Sequence, residues 1–90
     1  MMKIWAKIIK DNKIIRDEVV ISDVEGSYQE NLKICITELC NKLDISKPYW
    51  LPVNMEEYNK RGKTTFNEHN FIDQLNFDKL IIEELDTPEV

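Results

Sequence analysis

Glycine and proline are scarce in this 90-residue chain, at two and three copies, which excludes collagen-like and low-complexity architectures. Histidine occurs once, at His69, and cysteine twice, at Cys35 and Cys40. So few of either allow no multi-histidine metal signature and no disulfide framework. No apolar run exceeds three residues, against the roughly 20 that a membrane-spanning helix requires. The opening Met2-Lys3-Ile4-Trp5-Ala6-Lys7 carries charge where a secretory signal needs an apolar stretch. A cytoplasmic protein without a membrane is the expectation.

What is present suits one small folded unit. Apolar residues make up 42% and charged residues 32%, an ordinary globular balance, and the length allows one core rather than two. Net charge is −5 but unevenly spread. Residues 1–16 set five cations (Lys3, Lys7, Lys10, Lys13, Arg16) against Asp11, and residues 64–90 set seven acids against Lys79. Such polarity fits two strands that attract each other across a sheet better than a nucleic-acid arm on an acidic chain.

Met2 to Ile21 reads as a β-hairpin turning at Lys10-Asp11-Asn12-Lys13, because Asp and Asn tolerate the positive φ of tight hairpin turns. A two-residue loop pairs Ile9 with Ile14, and a regular register then pairs Ile8 with Ile15, Ala6 with Asp17, Ile4 with Val19 and Met2 with Ile21. One face collects Met2, Ile4, Ala6, Ile8, Ile15, Val19 and Ile21, with Asp17 the only charge on it. Trp5 falls on a mixed second face with Lys3, Lys7, Ile9, Ile14, Arg16, Glu18 and Val20.

A helix is expected over 28–43, with Ser27 as N-cap, Glu30 at capping-box spacing and Tyr28, Leu32, Cys35, Leu39 and Leu43 along its apolar stripe. Ile34 stands off that stripe. Pro48 and Pro52 argue for an extended Lys47–Val53 segment. A short helix over 55–61 capped by Asn54 follows, and Gly62 stops it. Thr64-Thr65-Phe66 is β-prone but brief. Residues 67–75 fit either a helical turn or a loop plugged by Phe66, Phe71 and Phe77. A strand over 77–85 closes the fold, and 86–90 forms a frayed tail. The expectation is therefore an α+β domain over residues 1–85, with sheet order 2-1-3 and the main helix on one face.

Chemistry-bearing residues are few. Lys60-Arg61-Gly62-Lys63 could cradle a phosphate or nucleic acid, yet it lacks P-loop spacing and its cations suit a helix C-terminus. Tyr49 and Trp50 could stack on a planar ligand, or fasten their Pro-bracketed loop to the core. His69 could serve a thiol nucleophile only with Cys35 or Cys40 beside it. Those cysteines are expected mid-helix, about 140° apart around the axis, as free thiols in a reducing compartment. His69 with Glu68 or Asp73 has no recognised metal-ligand spacing. The candidate binding residues are thus Trp5, Tyr49, Trp50, Arg61, Lys63 and His69, with no catalytic set, metal or cofactor implied. Function is expected to be interaction or regulation without catalysis, through a protein partner or a second copy, with Trp5 on an exposed apolar strip. Nucleic acid or another polyanion, bound through Lys60, Arg61 and Lys63, is the less favoured partner, and an enzyme using His69 with nearby acids is the least favoured reading.

The Met2-Lys3-Ile4-Trp5-Ala6-Lys7-Ile8-Ile9 opening, the Pro48-Tyr49-Trp50-Leu51 loop and the Arg61-Gly62-Lys63-Thr64-Thr65-Phe66 run resemble small bacterial proteins of families without an assigned function. The resemblance spans most of the chain and implies no activity and no site residues.

Overall fold

A computed structural model describes residues 2–22 and 26–85; the tail expected to fray, 86–90, lies outside them. The elements in order are β1 (Met2–Lys10), β2 (Lys13–Ser22), α1 (Tyr28–Leu43), α2 (Pro52–Arg61), β3 (Lys63–Phe66) and β4 (Lys79–Glu84), with a 3-10 turn at Glu68–Asn70. The strands make one antiparallel sheet in the order β2-β1-β4-β3. The α+β class is as the sequence indicates, and the closing strand does lie beside β1. The expected order 2-1-3 needs extending, because Lys63–Phe66 joins the far side of β4 and makes the sheet four-stranded.

The hairpin turn takes positive φ at Asp11 and Asn12, 52° and 64°, as a two-residue loop of this kind demands. Ile9 pairs with Ile14 as expected, but the register slips at the next step, where Ile8 faces Arg16. Ile15 is the extra residue of a β-bulge. Every pair beyond it is displaced by one: Ala6 faces Glu18, Ile4 faces Val20 and Met2 faces Ser22. A one-residue slip exchanges the faces of a strand. Val20 therefore joins the core, while Ile15, Val19 and Ile21, expected inside, are exposed. Arg16 and Glu18 move to the helix side.

α1 begins as expected, with the Glu30 N–H donating to Ser27 Oγ at 3.2 Å, and it ends on Asp44 in the left-handed conformation. Cys35, Ile36, Leu39, Cys40 and Leu43 form its buried stripe, packed with Met2, Ile4, Ala6, Ile8, Val20, Leu80 and Ile82 of the sheet. Arg16 tethers the helix end, its guanidinium donating to the carbonyls of Leu43 at 3.1 Å and Lys42 at 3.2 Å. A cation there complements the helix dipole.

α2 starts earlier than the proline pattern suggests. Pro52 is its first residue, after Leu51 as N-cap; the ring lacks only an N–H that a first turn leaves unpaired anyway. Asn54 is accordingly inside the first turn rather than the cap, and its Oδ1 accepts the Leu51 N–H at 3.0 Å. Gly62 stops the helix at φ 65°. Phe66, Phe71 and Phe77 all plug the core, the last two edge-to-face with centroids 6.1 Å apart. Both helices lie on the same side of the sheet, α1 through its buried stripe and α2 through Tyr58, while Val53 and Met55 of α2 stay exposed.

Candidate functional site

With both helices on one side, the other face of the sheet carries no helix, although Lys7 and Ile9 on it are buried, and the pairings define its rows. Val19, Trp5, Glu83 and Lys63 lie side by side across the four strands, and Asp17, Lys7, Ile81 and Thr65 form the adjacent row. Ile21 and Lys3 continue beyond Val19 and Trp5. Trp5 sits at the centre, half-buried. Its indole N–H donates to Asp17 Oδ2 at 2.9 Å, and Lys7 Nζ lies 4.1 Å from the ring centroid. Lys7 also reaches Glu83 Oε1 at 3.4 Å, and Lys63 approaches the same oxygen at 4.0 Å. This is the attraction expected between the basic opening strand and the acidic closing one. Glu84 instead turns to the helix side, accepting from Tyr28 Oη at 2.8 Å.

Lys63 is thereby brought onto the same face as Trp5, whereas the remaining candidates are placed elsewhere. Arg61 is exposed at the last turn of α2, next to Lys60, which is held by Glu56 at 2.9 Å. Tyr49 and Trp50 are across the sheet from Trp5. Trp50 packs edge-to-face on Tyr58 and Phe66, centroids 5.6 and 5.1 Å away, and so fastens its loop to the core. Tyr49 is more than half exposed on an open groove of about 640 Å³ between α1 and this loop. The groove's polar lining is Lys33, Lys47, Thr37 and a Ser46–Asp73 pair bonded at 2.6 Å.

His69 is exposed on the 3-10 turn, its imidazole 3.9 Å from Glu68. Cys35 and Cys40 are free and buried under α1, so the structure does not unite histidine and thiol. Burial pushes the Cys40 thiol up to about 11 and raises Cys35 as well. Both thiols are then protonated near neutral pH and poor nucleophiles. Burial likewise raises Tyr58 and Tyr28, whose hydroxyls meet at 3.2 Å. Among the described residues, no three His, Cys, Asp or Glu side chains are placed to hold a metal ion, and no helix is long and apolar enough to cross a membrane.

Sequence reasoning missed Val19, Ile21 and Ile81 as companions of Trp5. It took Asn54 for a helix cap and missed Asn70, both of them buried. Asn54 Nδ2 donates to Thr64 Oγ1 at 3.0 Å and to the Thr65 carbonyl at 2.9 Å. Asn70 Nδ2 donates to the Tyr49 carbonyl and to Asn54 Oδ1. These amides bind the proline loop, α2 and β3 into one unit. Both sit a few residues after an aromatic or proline in turn-prone sequence, which is weak advance notice of a buried amide. Comparison with family models, with curated proteins and with solved structures returns no match for this chain.

Proposed function

We propose that the protein is a non-catalytic interaction module whose contact surface is the open sheet face around Trp5. The observation that carries this reading is the placement of both helices on one side, which leaves Trp5, Val19, Ile21 and Ile81 on a helix-free face. An aromatic centre rimmed by lysines and carboxylates is the composition of protein-docking surfaces, where Trp anchors dominate binding. A polyanion suits it less well. Glu83 occupies the middle of the face and draws Lys7 and Lys63 to one oxygen, and Asp17 holds the indole N–H. Both carboxylates would repel phosphates.

Site-specific cross-linking tests the reading. A photoreactive residue at Ile81 in the intact chain, expressed in its host, should give a discrete protein adduct. The Trp5→Ala change should reduce that adduct by about tenfold. A nuclease-sensitive adduct would transfer the assignment to nucleic acid. Efficient cross-linking from Met55, exposed on α2, with none from Ile81, would refute the sheet-face reading.

A further inference from the structure

The outer edge of β2 carries a different message from the open face. Leu85 N–H donates to the Lys3 carbonyl at 2.8 Å, and Asp78 N–H to the Ile9 carbonyl at 2.9 Å. The odd-numbered residues of β1 therefore direct their backbone groups toward β4, and the even-numbered ones toward β2, as an antiparallel ladder alternates. Their partners Arg16, Glu18, Val20 and Ser22 face inward in turn. Asp17, Val19 and Ile21 are left presenting N–H and C=O to the outside, where no described strand meets them. We infer that this edge pairs antiparallel with the β2 edge of a second copy of the chain, about a two-fold axis near Val19.

Side chains along the edge agree with that occupant. Edge strands are usually guarded by lysine, proline or brevity, yet β2 runs for ten residues and has no lysine or proline after Lys13. Its one guanidinium, Arg16, is drawn off to the end of α1. The bulge disrupts only the Ile14–Ile15 end. Val19 and Ile21 remain 39% and 55% exposed.

Charge selects the register. Centred on Asp17 or Glu18, the two-fold axis sets a carboxylate against its own copy, which is destabilising. Centred on Val19, it sets Val19 against Val19 and Asp17 against Ile21. Such an isologous arrangement uses one patch twice. Continuing the sheet through that axis keeps the helices of both copies on the same side, so each α1 flanks the seam. The flank of α1 next to β2 is marked by Asn31, bonded to Ser22 at 2.9 Å. The inference goes beyond the sheet-face reading and leaves that face free, doubled in width.

Sedimentation of the full chain across a roughly hundredfold dilution should show a reversible monomer–dimer equilibrium. Val19→Pro removes an outward N–H without touching the β1 ladder, and Val19→Lys places two ammonium groups at the axis while keeping the backbone intact. Each should raise the dimer dissociation constant by about tenfold or more, and Ile81→Lys, on the open face, should not. If Val19→Pro unfolds the chain, Val19→Lys decides. A dimer broken by Ile81→Lys and untouched by Val19→Lys would mean that copies meet face to face, overturning edge pairing. A monomer at every concentration would also overturn it, while the cross-linking test of the Trp5 face would stand on its own result.

Discussion

At one margin of the sheet β3 runs for four residues, and at the other β2 runs for ten. The short margin is covered toward its Phe66 end. The Gly62 carbonyl accepts the Glu84 N–H, so by alternation Thr65 points its carbonyl outward, and Asn54 meets it there at 2.9 Å. The next outward group, the Asn67 N–H, donates to Asn70 Oδ1 at 3.0 Å. Side-chain amides thus do for β3 what a neighbouring strand would do. The long margin has no such cover among the described residues, and four exposed aliphatics decorate it: Ile14, Ile15, Val19 and Ile21. A fold that closes one edge with buried amides and leaves the other bare has separated a structural end from an end suited to association.

The comparison breaks most visibly at Asn54. Asn54→Leu keeps the volume but removes the partner of the Thr65 carbonyl, the Leu51 N–H and the Asn70 amide at once. Stranding buried polar groups costs 1–3 kcal/mol each at most sites, so a loss of about 3 kcal/mol in urea unfolding is expected. A loss below about 1 kcal/mol would show that the β3 edge is not held by its amides.

How far the two margins are legible in the sequence differs for a physical reason. The turn at Asp11-Asn12, the Ser27 cap and the Gly62 stop each depend on one residue type in one backbone conformation, and all three are where the pattern puts them. The faces of β2 depend on a parity count along Arg16-Asp17-Glu18-Val19-Val20-Ile21. That run is charged, charged, charged, apolar, apolar, apolar, so shifting it by one leaves an apolar face in either frame. Ile15, which shifts it, is neither Gly nor Asn and gives no warning of a bulge. The expected frame did place Asp17 on the apolar face, a mismatch that the true frame resolves by bonding it to Trp5. At the site, Trp5 was readable from its alternation with Lys3 and Lys7. Its neighbours on β4 and the presence of Lys63 beside them come from long-range pairing, which no local period encodes.

A smaller effect is expected where β2 is tied to α1. Arg16 stands opposite Ile8 on the helix side and is anchored by two carbonyls of the α1 end rather than by apolar packing. Arg16→Met should cost about 1–1.5 kcal/mol in thermal unfolding, with Arg16→Lys recovering part of it. Methionine at no cost would imply that the aliphatic stem alone secures this end of the strand.

The smallest effect belongs to Ile21, and it sharpens the contrast from within a single strand. Val20 and Ile21 are adjacent, yet Val20 is 3% exposed and packs in the core while Ile21 is 55% exposed. Measured at dilution, where a bare edge has no second copy to meet, Ile21→Thr should change unfolding stability by no more than about 0.5 kcal/mol, as exposed substitutions usually do. The matching change Val20→Thr puts a hydroxyl among Ile4, Leu39 and their neighbours and carries the larger cost of a buried polar group. Equal costs at the two positions would mean that Ile21 is covered even in the isolated chain. The reverse order would restore the unbulged register. Because the bulge alone decides which of these neighbours faces water, the pair of substitutions reads its presence directly.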